Sequence, residues 1–307
     1  MKIMNKKHIF FIVLSFVFVI FFACKKNNQD EETIIKGKAT LLVDESIFPI
    51  VEDQQAVFET QYDAKLSLVR KSEAEIINSL LNDTLKIAVI PRKLTDAEDK
   101  AFSNKKIFPK QTIFAKDAVV FITNKMSKDS LIALEDIVKF MKGEDVKGIK
   151  GLVFDNPNSS TVRLLSEKAG IKVTPQKNIF SFATNNEVIK YVSQNEGMIG
   201  VVGVNWLFQP PLDMQPTVDK VSIMSVKSDE KFGFVYPSQE NIGNGKYPLA
   251  RHLYIINCQG YSGLGMGFAS FVAGDIGQRI ILKSGLLPVR VPGRRINIRN
   301  EISNEKK

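Results

Sequence analysis

The sequence predicts an α/β protein of two lobes, each built on a mixed, mostly parallel sheet, with a two-strand hinge between them. Three observations carry this. Strand-length apolar runs alternate with helix-length amphipathic runs almost from end to end. Helix-opening patterns follow directly on strands, the order that gives a parallel sheet covered on both faces. Two long apolar strands, Asp117–Asn124 and Leu249–Asn257, bracket a middle block, as expected of a chain that crosses into a second lobe and returns.

The elements follow in order. Ala39 to Val43 reads as a strand, and Ile47, Ile50, Val51, Phe58 and Tyr62 then recur at helical spacing. Leu66 to Val69 is a second strand, with the capping-box pattern Ser72 to Glu75 opening a helix through Leu81. Ile87 to Ile90 is a third strand, followed by a second such box, Thr95 to Glu98. After the strand Asp117–Asn124 come a helix over Leu134–Met141, a strand over Leu152–Phe154 and a helix over Thr161–Ala169 that Gly170 stops. Glu187–Val192 is helical, Met198–Val204 and Val221–Val226 are strands, and His252–Ile256 is the returning strand. Two helices, Phe268–Val272 and Ile276–Leu282, end the pattern. The expected divisions are 37–116 with 257–307 for the first lobe and 117–256 for the second.

The N-terminus addresses the chain for export. Lys2, Lys6 and Lys7 precede a 15-residue stretch, Ile9 to Ala23, that is apolar but for Ser15, and so short for a bilayer span but right for a signal peptide. Phe21-Phe22-Ala23-Cys24 resembles a bacterial lipobox. It implies a signal over 1–23, lipid on Cys24 and a membrane-anchored protein facing the periplasm or the cell surface. Residues 24–36 read as a polar tether. An uncleaved anchor helix is the alternative, and it too exports the body of the protein.

Composition narrows the function. The formal charge is +9, and losing the three signal lysines leaves +6, much of it in Arg290, Arg294, Arg295 and Arg299. That cluster reads as a solvated C-terminal face, with an anionic partner the alternative, and nucleic acid is not an expected partner of an exported lipoprotein. With Cys24 committed to lipid, Cys258 has no disulfide partner and reads as a small buried hydrophobe. The chain has two histidines, His8 in the signal and His252 on an apolar strand, and no Cys/His set at zinc spacing. G-x-S-x-G and Walker A sequences are absent. Gly263-Leu264-Gly265-Met266-Gly267 lacks the third glycine and the downstream acid of a dinucleotide loop. Neither catalysis, a metal nor a cofactor is expected.

An anion site is better supported. Ser159, Ser160 and Thr161 gather hydroxyls and backbone N–H groups at a helix start, where the dipole and the unpaired donors favour negative charge. Ser46 and Ser72 stand at strand-to-helix junctions of the first lobe, and Arg92 follows its third strand, able to present a bidentate guanidinium. Each serine could equally be an ordinary N-cap.

In order along the chain, several segments resemble the phosphate-binding proteins of Pst-type ABC transporters, of the type II periplasmic-binding superfamily. These are Asp44-Glu45-Ser46 with Phe48-Pro49, Ile87 to Leu94, Asp117-Ala118-Val119-Val120 and Asn158-Ser159-Ser160-Thr161. Gly197-Met198-Ile199-Gly200, Tyr247-Pro248-Leu249-Ala250-Arg251, Gly277-Gln278 and Gly285-Leu286-Leu287-Pro288 continue the series. The resemblance implies two lobes hinged around phosphate or a related oxyanion, and a monomer that delivers it to an ABC permease and ATPase. Ser46, Ser72, Arg92, Ser159, Ser160 and Thr161 would bind it, and Asp155 or Asp44 would accept the ligand's proton. Three positions depart from the family. Asp155 stands where an arginine is frequent, Pro91 where an acceptor aspartate is found, and Ser160 where glycine is usual. A sensor or surface interaction module for another ligand is the alternative function, and a serine hydrolase a third.

Overall fold

The computed structural model describes residues 32–82, 85–127, 130–172, 177–291 and 293. The signal, Cys24, Arg294, Arg295 and Arg299 lie outside the described residues. The chain runs β1 (Lys36–Asp44), a 3-10 turn (Glu45–Ile47), α1 (Phe48–Gln61), β2 (Asp63–Lys71), α2 (Glu73–Leu81), β3 (Ile87–Ile90) and α3 (Asp96–Asn104). After β4 (Lys110–Asn124) come β5 (Leu131–Ala133), α4 (Leu134–Met141), β6 (Gly151–Phe154), α5 (Ser160–Ala169), β7 (Ile179–Ser181), α6 (Asn185–Gln194) and β8 (Met198–Gly203). Next are α7 (Asn205–Phe208), α8 (Gln215–Val218), β9 (Val221–Ile223), β10 (Ser225–Lys227), β11 (Phe234–Val235) and α9 (Gln239–Gly243). The chain returns through β12 (Ala250–Asn257), α10 (Leu264–Ala273), α11 (Asp275–Lys283) and β13 (Leu287–Pro288).

One continuous ladder, β2-β1-β3-β12-β4-β8-β6-β7, joins two half-sheets. In the first lobe β2, β1 and β3 are parallel, and in the second β7, β6 and β8 are parallel. Between them β12 and β4 run antiparallel, so each lobe's parallel block meets the other through a reversed pair. Lys110–Ala118 of β4 pairs with β12, whereas Val119–Thr123 pairs with β8, which makes β4 a strand of both lobes. Beside Val119 the returning chain is held by its own backbone and a buried tyrosine. Val119 N–H donates to the Leu249 carbonyl at 3.0 Å, and the Tyr247 hydroxyl donates to the Val119 carbonyl at 3.0 Å.

Alternation on the strands shows why helices cover both faces of the first lobe. Leu41, Val43, Ile87 and Val89 point into the main core against α1 and α10, where Phe58 meets Phe268 edge-on at 5.5 Å. Leu42, Ala88 and Ile90 point the other way, into a smaller cluster with Ile76, Leu80 and Phe102 of α2 and α3. Cys258 is buried in that cluster. Both capping boxes form, at Ser72–Glu75 and Thr95–Glu98.

Several elements differ from the sequence expectation. The strand expected at 117–124 begins at Lys110; its first half mixes the exposed or half-buried Lys110, Gln111, Thr112 and Lys116 with only a short apolar run around the buried Phe114 and Ala115. The single strand expected over 221–226 is two: Met224 N–H bonds to the Phe121 carbonyl, and the chain then leaves β4 to pair with β5 in a separate three-stranded sheet. Residues 250–256, expected in the second lobe, pair with β3 and the first half of β4. The tether's last residues are docked as well. Glu32 Oε1 accepts from Leu264 N–H at 2.6 Å and from Gln259 Nε2 at 2.8 Å, at the start of α10. The Gly-x-Gly-x-Gly run there serves this contact, since a Cβ on Gly267 would strike the Ile34 carbonyl. Among the described residues, no helix is long and apolar enough to cross a membrane.

Candidate functional site

The site begins where β1 ends. Asp44 caps the 3-10 turn, its Oδ1 accepting from Ser46 N–H at 3.0 Å and from the Ser46 hydroxyl at 2.5 Å. That fixes the hydroxyl toward the second lobe. Gly203, closing β8, lies so close that any Cβ would strike the Ser46 carbonyl. The turn is thus pressed against the second lobe through a position only glycine fills.

From the other side, the β6–α5 loop delivers Ser159, Ser160 and Thr161. Ser159 is the N-cap of α5, its hydroxyl accepting from Val162 N–H. Ser160, the next residue, reaches across the cleft, with its hydroxyl 3.0 Å from the Ser46 hydroxyl and 3.0 Å from Asp44 Oδ1. Thr161 bonds the Ser159 hydroxyl at 2.8 Å and donates to Asp155 Oδ1 at 2.9 Å. Asp155, which ends the β6 run, also accepts from Asn185 Nδ2 of α6 at 3.4 Å.

Arg251 of β12 closes the cluster. Its Nη1 donates to the Ser160 hydroxyl at 3.0 Å and its Nη2 to the Ser46 hydroxyl at 2.9 Å, so one guanidinium touches both lobes. Its Nε and Nη2 also donate to Asp117 Oδ2 at 3.0 and 2.8 Å. Asp44, Ser46, Asp117, Asp155, Ser160, Thr161 and Arg251 are all buried. Asp44 Oδ2 and Asp117 Oδ1 have no hydrogen-bond partner among the described residues.

Burial dominates the electrostatics. It pushes the Asp44 carboxyl up to about 7, against the pull of Arg251 and with help from Glu73 and Asp155. The Glu45 carboxyl is likewise raised to about 7 by burial, with Arg70 opposing. Asp117 and Asp155 are raised by the same cause, held back respectively by Arg251 and by hydroxyls. Glu45 is a further link between lobes, its Oε1 accepting from Asn185 N–H at 3.2 Å and its carbonyl from Trp206 Nε1 at 3.2 Å.

The structure therefore gathers Asp44, Ser46, Ser159, Ser160, Thr161 and Asp155. Ser72 and Arg92 stand apart in a neighbouring network. The Ser72 hydroxyl belongs to the α2 capping box with Glu75. Arg92 grips Glu98 with two nitrogens at 2.7 and 2.8 Å and donates to Glu73 Oε1 at 2.6 Å. That same Glu73 oxygen accepts from Arg163 of α5 at 2.7 Å, an ion pair across the cleft. His252 is exposed on β12 opposite Lys116, outside the cluster, its imidazole lowered by burial and by that lysine.

Sequence reasoning gave no role to Arg251, Asp117, Asn185 or Arg163. A signal existed for the first two: Asp117 leads straight into the apolar run Ala118–Ile122 and Arg251 precedes the run Leu253–Ile256, and a charge buried in one strand calls for an opposite charge in its neighbour. Nothing local could join Glu73 to Arg163, which are 90 residues apart.

The family model described as PBP superfamily domain matches residues 28–275. The phosphate-binding protein PstS of Borreliella burgdorferi is 28% identical over 294 residues, covering 88% of this chain and 95% of the relative. Among solved structures, a phosphate ABC transporter substrate-binding protein of Clostridium perfringens with bound phosphate superposes with a TM-score of 0.69 at 20% identity, covering 83% of this chain and 100% of that one. PstS from Borrelia burgdorferi superposes with a TM-score of 0.53 at 25% identity, covering 83% and 100%. With the family model spanning most of its length, the chain belongs to the PBP superfamily, and within it is PstS-like.

Proposed function

We propose that this protein is a solute receptor that closes its lobes around phosphate and passes it unchanged to an ABC permease. The observation that carries the reading is the meeting of Ser46 and Ser160, one hydroxyl from each lobe, under a guanidinium that donates to both. These groups, with the N–H groups opening α5, are donors of the kind a tetrahedral oxyanion accepts from. As the lobes part and close, the hydroxyls would exchange their mutual bond for bonds to the anion. Asp44, fixed by the Ser46 turn, is the acceptor for a proton the anion carries, with Asp155 a second candidate. Phosphate brings such a proton at neutral pH and sulfate does not. The relatives bearing the name phosphate-binding protein PstS support the ligand assignment.

The same reading makes the protein an exported lipoprotein held by lipid on Cys24, working as a monomer without catalysis. Labelling with a radioactive fatty acid should mark the wild type and not Cys24→Ser.

Calorimetric titration with phosphate and then sulfate, after scavenging phosphate from the buffer, tests the ligand. Saturable binding of phosphate alone is expected. Ser46→Ala and Ser160→Ala should each weaken it by roughly tenfold to a hundredfold, the worth of a hydrogen bond to a charged group. Unchanged affinity in both variants removes the reading.

A further inference from the structure

The second lobe's strands β7, β6 and β8 are parallel, so their C-terminal ends lie on one side, and the residues that follow β6 there meet Asp44 and Ser46. Ligands of open α/β sheets bind at such strand ends. β8 delivers Gly203, Val204 and Asn205 to the same side. In the run Val201 to Leu207 every residue but Gly203 and Asn205 is an apolar core residue. Gly203 is explained by its contact with the Ser46 carbonyl, whereas nothing in the packing explains an asparagine.

The neighbours of Asn205 place it against the cluster. The position a Cβ on Gly203 would take touches the Ser46 carbonyl and lies 3.0 Å from Asn205 Oδ1. The Val204 backbone acts on the Asp117 carboxylate, the one that carries Arg251. Trp206 Nε1 donates to the Glu45 carbonyl at 3.2 Å. The chain on both sides of Asn205 is therefore engaged with the groups that build the site.

Its own amide is not. Asn205 is 1% exposed, and neither its Nδ2 nor its Oδ1 has a hydrogen-bond partner among the described residues. Asn185, the buried asparagine that follows β7, spends its Nδ2 on Asp155. A buried amide with neither end bonded is costly to keep where a hydrophobe would fit. Such a group persists where something else bonds it during the working cycle.

We propose that Asn205 is a further anion-binding residue, its Nδ2 donating to an oxygen of the bound phosphate from the β8 side. The inference rests on the oxyanion reading and adds a residue to it. A neutral donor suits this place, because Arg251 already supplies positive charge between Ser46 and Ser160. With Ser46 from the β1 side, Ser160 from α5 and Arg251 from β12, Asn205 brings donors to the tetrahedral anion from a fourth element.

Calorimetric titration of the purified full chain with inorganic phosphate tests this. Asn205→Leu keeps the size of the side chain and removes its donor. It should weaken phosphate binding at least tenfold without lowering the melting temperature of the ligand-free protein, since no hydrogen bond within the chain is lost. If leucine's shape prevents folding, Asn205→Ala carries the affinity test. In wild type isotope-labelled at asparagine nitrogen, the side-chain amide resonance missing from the variant should move downfield when phosphate is added. Phosphate binding within about twofold of wild type in either folded variant, or an amide resonance that stays in place, overturns the inference and leaves the oxyanion reading standing. Failure of the wild type to bind phosphate overturns both.

Discussion

Arg251 and Asp117 lie directly opposite one another in the antiparallel register of β12 and β4, and two guanidinium nitrogens donate to the same carboxylate oxygen. The pair sits next to Val119, where β4 passes from one lobe to the other. Arg251 thus orients its remaining hydrogen bonds toward Ser46 and Ser160 from a fixed base. Arg251→Ala should lower unfolding free energy by about 3–5 kcal/mol, since it strands a buried carboxylate. Adding Asp117→Asn should recover a substantial part of that loss. Urea unfolding of the two single variants and the double variant measures the coupling, and strict additivity would contradict it.

The raised carboxyls set a pH dependence. Asp44 and Glu45 stand near 7 in the folded chain, whereas a free aspartate or glutamate titrates near 4. Between those values the folded state holds more protons than the unfolded one, so stability falls as pH rises through about 4 to 7 and levels off above. The steepest slope is about 1.4 kcal/mol per pH unit for each such carboxyl. Asp44→Asn should make the fall shallower by that one carboxyl's share. Melting temperatures of the ligand-free protein across pH 4 to 8 provide the check, and a curve rising with pH over that window contradicts the assignment.

Glu73 and Arg163 hold the lobes together at the mouth of the cleft. Arg163→Ala leaves Glu73 its bond to Arg92, so the first lobe keeps its own network. An ion pair this exposed on one side is worth about 1 kcal/mol, and its loss should speed phosphate release about fivefold. Stopped-flow displacement reads the rate. Small-angle scattering of the ligand-free variant should show a larger radius of gyration than the wild type.

Gly203→Ala should disturb the site from a residue that donates no side chain to it. The new Cβ collides with the Ser46 backbone carbonyl, which cannot rotate away as a side chain could. A destabilisation of about 2–4 kcal/mol is expected, with weakened anion binding. Gly260→Ala, whose Cβ would meet nothing, serves as the control and should stay within about 0.5 kcal/mol.

Legibility in the sequence followed the range of the interactions. Capping boxes at Ser72 and Thr95 are local hydrogen-bond patterns over four residues, and both were readable as written. The parallel strands of each lobe were readable because burial on both faces leaves a continuous apolar run, as in β3 and β6. The first half of β4 was not, since its apolar run is only Ile113 to Ala115, flanked by Lys110, Gln111, Thr112 and Lys116, and it is held as strand by its ladder with β12. At the site, Ser46 and Ser160 stood out by their place at helix starts, but so did Ser72, which spends its hydroxyl on its own cap. No sequence pattern separates a capping serine from one that reaches across a cleft, because the difference is made by the opposite lobe. Arg92 was misleading for a related reason: its acidic partners Glu73 and Glu98 lie on two helices that only the fold brings to it.

The Glu32 carboxylate clasping the start of α10 has a mechanical meaning. From Cys24 to Glu32 is eight residues, a leash of at most about 28 Å when fully stretched. With the proposed lipid on Cys24, the α10 corner of the first lobe would stay that close to the bilayer, and this lobe would become the stator. Opening and closing would then swing the second lobe, as the rotor, about a support fixed to the membrane. A permease would meet one surface in constant register and another whose position reports whether the cleft is shut.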